Sequence, residues 1–416
     1  KAEMWIYDAS PVDLGAPSGW KLAGLGTVRA DGLAIVADPG VGFSRFCKHC
    51  SWVQCSCLGD GSTCKNTNPE SDKDGDPVDL ATGTFTANQR DLVLLGLLPL
   101  SIDRVFNADD AFQGGFRDSL ILSLGRGWIL SYDVALAKVG TVFRMVLPGN
   151  RRVDFSPQPN NTWTNTTHAF LQGAVLRELP NGDRQLRYKD GRTWTFRLAH
   201  TFSDGSKIDL LIQQDDRNGN TVTIQRNGTQ ITRIVGASGR ELNFVYSNSR
   251  LSQIRDPLGR MVSYTYDNNQ RLRVVTNPEG GLTQYTYDTQ CNLLTITDAR
   301  GIQYIQNHHG ASNRVLRQVM ADGGEWRYQY HLQGATVTGS GCPGFSCPTV
   351  ETWENVQAGY SFTGGTICAT TVIDPVGVTR TTRFNTRGYT VDRMDGLGQK
   401  VVMHRGVSNQ VTSRVN

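Results

Sequence analysis

The phrase YTYD stands at Tyr264–Asp267 and again at Tyr285–Asp288, a step of 21 residues. Its surroundings keep the same step. Asp256-Pro-Leu-Gly259 aligns with Asn277-Pro-Glu-Gly280, and the next step lands on Asp298-Ala-Arg-Gly301. Further D/N-x-x-G copies stand at Asp216–Gly219, Asp374–Gly377 and Asp395–Gly398, with a degenerate one at Asp322-Gly323-Gly324. Self-similarity at a fixed period of this size marks a repeat architecture.

Each part of the period has a local reason. Asp or Asn begins a turn through its side-chain oxygen, Pro presets φ, and Gly takes the positive φ that closes the turn. MVSYTY then alternates, with Val262, Tyr264 and Tyr266 on one face and Met261, Ser263 and Thr265 on the other, which is a strand. DNNQ turns the chain, and RLRVVT (Arg271–Thr276) returns as a second strand. In that return strand Leu272 and Val274 alternate while Val275 falls on the opposite side. One repeat is therefore one hairpin, with Gly259, Gly280 and Gly301 expected at equivalent turn positions and Tyr266 and Tyr287 about 10 Å apart on neighbouring hairpins. Asp267 and Asp288 meet the same neighbours in each copy, so they are expected to cap turns and not to do chemistry.

Residues 184–416 have room for about eleven such hairpins, a ribbon of about 22 strands on the order of 100 Å wide. An open twisted sheet of that width curls on itself. The aromatics Trp194, Tyr246, Tyr264, Tyr285, Tyr304, Trp326 and Tyr328 recur at strand ends and are expected to stack hairpin on hairpin. The fold class that follows is all-β: hairpins in a long sheet that curls on itself. A small β-domain over 1–46, a Cys-rich loop over 47–75 and a further β-domain over 76–183 precede it.

Nine cysteines bear on the compartment. Cys47, Cys50, Cys55, Cys57 and Cys64 crowd one loop, and Cys342, Cys347 and Cys368 form a second group, with Cys291 alone. Such density in loops reads as disulfides in an exported protein. Zinc on the CKHC segment with Cys55 and Cys57 is the lesser alternative, because a second separated knuckle is missing. Asp72, Asp74 and Asp76 resemble part of a calcium loop, but Gly83 stands where the bidentate Glu belongs, and a solvated acidic linker is the preferred reading. No cofactor is otherwise implied. The net charge of +4 is spread without a dense basic block, so nothing points to nucleic acid. The longest apolar run, Leu92–Leu100, is far short of the roughly 20 residues that span a bilayer. The histidines, including the pair His308 and His309, are scattered outside any hydrolase, metalloprotease or nucleotide motif, and no enzyme is expected.

The registered YTYD…DPLGR…YTYD series resembles the YD repeats of the Rhs family, shared by bacterial Rhs proteins, toxin-complex shells, wall-associated proteins and teneurins. Upstream, GDPVDLATGTF (Gly75–Phe85) resembles the segment that opens the domain preceding the repeats. Leu98–Asn107 and Leu124–Asp133 look like its following strands. The resemblance implies a hollow β-shell around a cargo, in many bacterial members a C-terminal toxin. It thus implies a non-catalytic scaffold, secreted or at the cell surface of a bacterium; the alternative is an adhesion or carbohydrate- or protein-binding module. The chain opens at Lys1 and stops in mid-repeat, so its open sheet edge is expected to meet the rest of the polypeptide or another protein chain.

Overall fold

In the computed structural model of the protein, the described residues are 2–8, 19–28, 35–37, 72–107, 123–149, 151–202, 205–339, 348–385, 388–406 and 409–415. Nearly all of their regular structure is strand; a 3-10 turn (Ala169–Leu171) and one helix, Trp353–Gln357, are the described exceptions. Contacts divide the chain into Lys1–Gln54 and Cys55–Asn416. The first unit holds an antiparallel sheet in the order Ala2–Asp8, Gly19–Val28, Ile35–Ala37.

The second unit is dominated by one continuous antiparallel sheet, from Ala135–Val139 to Val411–Val415. Ala135–Val139 pairs on one side with Val142–Leu147 and on the other with Lys207–Asp215, through Ile208↔Ala137 and Leu210↔Ala135. That second pairing closes the first eight strands of the sheet into a ring. Lys207–Asp215 uses its remaining length, Gln213 to Asp215, to pair with Thr221–Asn227. The sheet leaves the ring there and continues hairpin by hairpin. From Arg184 onward twenty strands are described, close to the about 22 that the period implies. The shortfall falls at the hairpin Glu325–Thr338/Ser361–Ile373, whose strands run 14 and 13 residues and whose connection carries the helix.

The glycine turns are alike in detail. Gly259, Gly280 and Gly301 have φ of +82°, +84° and +78°. In each, the glycine N–H donates to the carbonyl of the Asp or Asn three residues back, at 3.2, 3.0 and 3.0 Å. The Asp or Asn Oδ1 accepts two further amides, such as Leu258 N and Arg260 N on Asp256, both at 2.9 Å. Nothing lies within 4 Å of a Cβ built on any of the three, so the backbone angle selects glycine and crowding does not. The opposite end of the hairpin repeats the design with another residue: Asp267 Oδ1 accepts from Asn269 N and Arg271 N (2.9 Å each), and Gln270 adopts φ +61°.

A bulge settles the ambiguous return strand. Thr265 faces Val274 and Tyr266 faces Leu272, leaving Arg273 as the extra residue. The extra residue turns Leu272 and Val275 to the same side, and both are buried. The same shift recurs one period on, between Thr286 and Tyr287, and buries Leu293 with Ile296. Ile231 with Ile234 and Leu251 with Ile254 share this three-residue spacing, so the core signature of the return strand is L-x-x-I and not simple alternation.

The second tyrosine of the phrase completes the joint between hairpins. The ladder joining Arg250–Arg255 to Met261–Tyr266 stops at Gln253↔Ser263. Beyond it Tyr266 Oη donates to the Leu251 carbonyl at 2.6 Å, fifteen residues back. Tyr287 donates to Leu272 O (2.7 Å) and Tyr330 to Val315 O (2.6 Å) at the same separation, and Arg226 and Arg405 supply the donor to Leu211 O and Thr390 O. A buried carbonyl outside the ladder needs such a partner. Tyr266→Phe is therefore expected to cost about 1–2 kcal/mol and Tyr266→Ala about 3–5 kcal/mol, the first from the orphaned carbonyl and the second from lost packing as well. Asp267→Ala is expected to cost about 1 kcal/mol. Urea unfolding of the three variants checks the order.

Candidate functional site: the inner face of the repeat sheet

The buried faces of the repeats are covered by other described parts of the chain. They pack, as one cluster, against the segments that precede them: Val78, Leu80 and Phe85, and the three-stranded sheet Thr86–Leu94, Leu100–Asn107, Trp128–Leu130. The first tyrosines of the phrase, Tyr264 and Tyr285, face this layer, and so does Tyr304. Tyr264 Oη donates to Asp91 Oδ2 (2.7 Å), the Tyr285 ring lies 4.9 Å from that of Trp128, and Tyr304 Oη accepts from Gln89 Nε2 (3.3 Å). Stacking of hairpin on hairpin was the expectation for these rings; holding an inner layer is what they do.

At the centre is a buried ion pair. Arg104 Nε meets Asp91 Oδ2 at 2.5 Å, with side-chain exposures of 2% and 4%. The guanidinium lies 4.7 Å from the Trp128 ring centroid and 5.9 and 5.7 Å from those of Tyr264 and Tyr285. Burial pulls the Arg104 pKa down, but Asp91 and the Tyr285 and Tyr264 phenols outweigh it and keep the group charged.

A strap, Asp72–Phe85, crosses the later repeats. Gln318 reads the backbone of Asp76 at both ends of one residue: its Oε1 accepts from Asp76 N (2.8 Å) and its Nε2 donates to Asp76 O (3.2 Å) and to Asn307 Oδ1 (2.8 Å). Tyr328 Oη donates to Asp74 O (3.2 Å), Thr370 Oγ1 to Leu80 O (2.5 Å) and Val315 N to Gly83 O (2.8 Å). Gly83 has φ +73°, and a Cβ there would stand 2.8 Å from Arg314, whose guanidinium is held by Glu351 and by the carbonyls of Gly364 and Gly365.

Asn307 and Gln318 were not singled out by the repeat reading, although a signal existed. Val315-Leu-Arg-Gln318 occupies the L-x-x-I register of Leu293-Leu-Thr-Ile296, and a fully buried Gln where the register demands Ile is a polar group that must have a partner.

The candidate calcium aspartates separate along the strap. Asp72 takes the Thr390 hydroxyl and the Arg393 guanidinium, Asp74 pairs with Arg380 at 3.0 Å, and Asp76 is engaged through its backbone. Among the described residues no group of three or more His, Cys, Asp or Glu is arranged to hold a metal ion. Seven of the eight candidate disulfide cysteines, Cys47, Cys50, Cys55, Cys57, Cys64, Cys342 and Cys347, lie outside the described residues. Cys368 is exposed, with its thiol 3.3 Å from Gln333 Oε1, and it is not bonded to Cys291. His308 packs on the Trp353 ring (5.1 Å), and burial and then Arg317 lower its pKa.

Two sets of carboxylates give opposite responses to acid. The hydrogen bond from Arg317, opposed by burial and aided by Arg327, lowers Glu325 from its ordinary 4.5 to about 2. Its contribution is present above pH 4.5 and is lost as pH falls toward about 2, so Glu325→Gln is expected to flatten the acid limb of a stability–pH curve measured by thermal melting. Burial raises Asp74 and Asp76, and their protonation acts in the other direction.

Residues 246–281 and 266–303 match the family model described as RHS Repeat. Residues 246–303 thus carry RHS repeats. Residues 75–155, which hold most of the strap and the inner sheet, match a domain of unknown function, DUF6531. No curated protein matches the chain. Among solved structures, the crystal structure of TcdB2-TccC3-TEV is similar over 77% of this chain and 19% of its own, at 10% identity and a TM-score of 0.23. The Photorhabdus luminescens Tc holotoxin pore is similar over 81% and 23%, at 11% identity and a TM-score of 0.23. A porin-like protein from Bacteroides uniformis is similar over 58% of this chain and 93% of its own, at 15% identity and a TM-score of 0.22. The chain thus spans about a fifth of the length of the toxin-complex structures.

Proposed function

We propose that this RHS-repeat chain is a non-catalytic, exported scaffold whose sheet wraps a polypeptide on its inner face and, in its full assembly, encloses a cargo. The observation that supports this reading is the polar reception of the strap. Buried repeat residues read its backbone at Asp74, Asp76, Leu80 and Gly83, so the inner face is built to hold an extended chain and not merely to exclude water. The partner at Val411–Val415, which pairs only with Lys400–Arg405 among the described strands, is the next segment of the polypeptide or another protein chain adding to that edge. No described helix is long and apolar enough to cross a membrane.

The test is protease protection. The full-length product carrying a C-terminal epitope is digested natively and after denaturation. The epitope is expected to survive native digestion and vanish after denaturation; equal loss in both overturns enclosure. Saturable hits on a glycan array by the same protein would instead favour surface adhesion.

A further inference from the structure

The apolar run Leu92–Leu100 is only half accounted for by the core. Leu92, Leu94 and Leu100 are buried, whereas Leu95 and Leu97, at the tip of the hairpin, are 70% and 73% exposed. Two repeat turns pin the tip. Arg240 Nη1 donates to Leu95 O (2.9 Å), Arg260 Nη2 donates to Val93 O (3.0 Å), and a Cβ on Gly96 would stand 3.0 Å from Ser238 Oγ. The turn that supplies Arg260 also carries Leu258, 77% exposed. Single exposed leucines are ordinary, but these three project from a tip and a turn that are bonded to each other, and the pinned backbone keeps them from folding back.

The flanking charge indicates what covers them. Arg240 and Arg260 set two guanidinium groups at the base of the leucines, and the carboxylate of the same turn, Asp256, is buried behind Arg260 and already takes its Nε at 2.7 Å. Leucines that lead and arginines that follow match the layers of an anionic lipid surface, where apolar groups enter the acyl boundary and guanidiniums meet phosphates. We propose that the Leu95–Leu97 tip, together with Leu258, docks the protein on an anionic lipid surface. The contact is peripheral and needs no spanning segment. It stands independently of whether the sheet encloses a cargo.

The test is cosedimentation of the 416-residue chain with vesicles of equal parts phosphatidylcholine and phosphatidylserine, against vesicles of phosphatidylcholine alone. Binding is expected to the anionic vesicles and to weaken with added salt. The double variant Leu95→Asp, Leu97→Asp is expected to bind at least about tenfold more weakly, and Arg240→Gln about fivefold more weakly. Leu95 and Leu97 are exposed, so the double variant should melt with the unaltered chain. Undiminished binding by the folded double variant, or no binding by the unaltered chain, overturns the proposal. Sedimentation velocity covers the remaining occupant: self-association lost in the double variant, without vesicle binding, would assign the tip to a second copy of the chain and overturn lipid docking.

Discussion

Arg104→Ala will cost about 3–5 kcal/mol, among the largest losses available to a single substitution, because it leaves the Asp91 carboxylate buried and unpaired. The site gives Asp91 little recourse: its side chain is 4% exposed, and its other described contact is the Tyr264 hydroxyl. The loss reaches further, since Tyr285 Oη gives up both guanidinium contacts at 3.3 Å and the Trp128 face loses its cation. The informative control is the double variant Arg104→Met, Asp91→Leu, which removes both charges at similar volume. It is expected to recover most of the loss, as apolar replacements of buried pairs often do. Urea unfolding of the single and double variants decides it. A double variant as unstable as the single one would mean that the aromatic cage, not charge pairing, governs the site.

Gly83→Ala is the second large effect, expected at about 3–5 kcal/mol from a positive φ combined with overpacking. The added methyl would meet Arg314 Cβ and Cγ at 2.8 Å and Tyr330 Cζ at 3.0 Å. Arg314 cannot yield, being tied to Glu351 and two carbonyls, and Tyr330 is fixed to Val315 O. Gly259→Ala provides the contrast: the same sign of φ in open space, and so about 1–2 kcal/mol. Thermal melting of the two variants separates crowding from backbone strain, and equal shifts would show that crowding at Gly83 contributes nothing.

The hairpin, its two turns and the closing of the sheet were legible because each is a local consequence of the period. Asp256 and Asn277 cap their turns, the glycines take positive φ, and a ribbon so wide curls. What escaped was whatever one copy does differently from its neighbours. The bulge at Arg273 hid the L-x-x-I spacing behind apparent alternation. The Asp91–Arg104 pair joins residues 13 apart and then meets Tyr285, 181 residues from Arg104, and no spacing rule reaches across that distance. Gln318 could have been found by asking which core position of the repeat had turned polar. The strap's destination could not, because its partners are scattered from Val315 to Arg393 and become neighbours only once the sheet has curled.

The divided edge of Lys207–Asp215 bears on how such a chain can change in length. The strand count of the ring is fixed by one pairing, Ile208↔Ala137 to Leu210↔Ala135, made before the hairpins that follow. Adding or deleting a whole hairpin beyond Thr221 therefore leaves the starting diameter untouched. Hairpins such as those of Tyr266 and Tyr287 bring an apolar pair at L-x-x-I spacing and a donor for the carbonyl fifteen residues behind, so their contacts within the sheet are mostly with the nearest neighbours. Growth by duplication costs such a chain little so long as the hairpins that touch the strap keep their exceptional residues, which makes the neighbourhood of Asn307 and Gln318 the part of the array least free to drift.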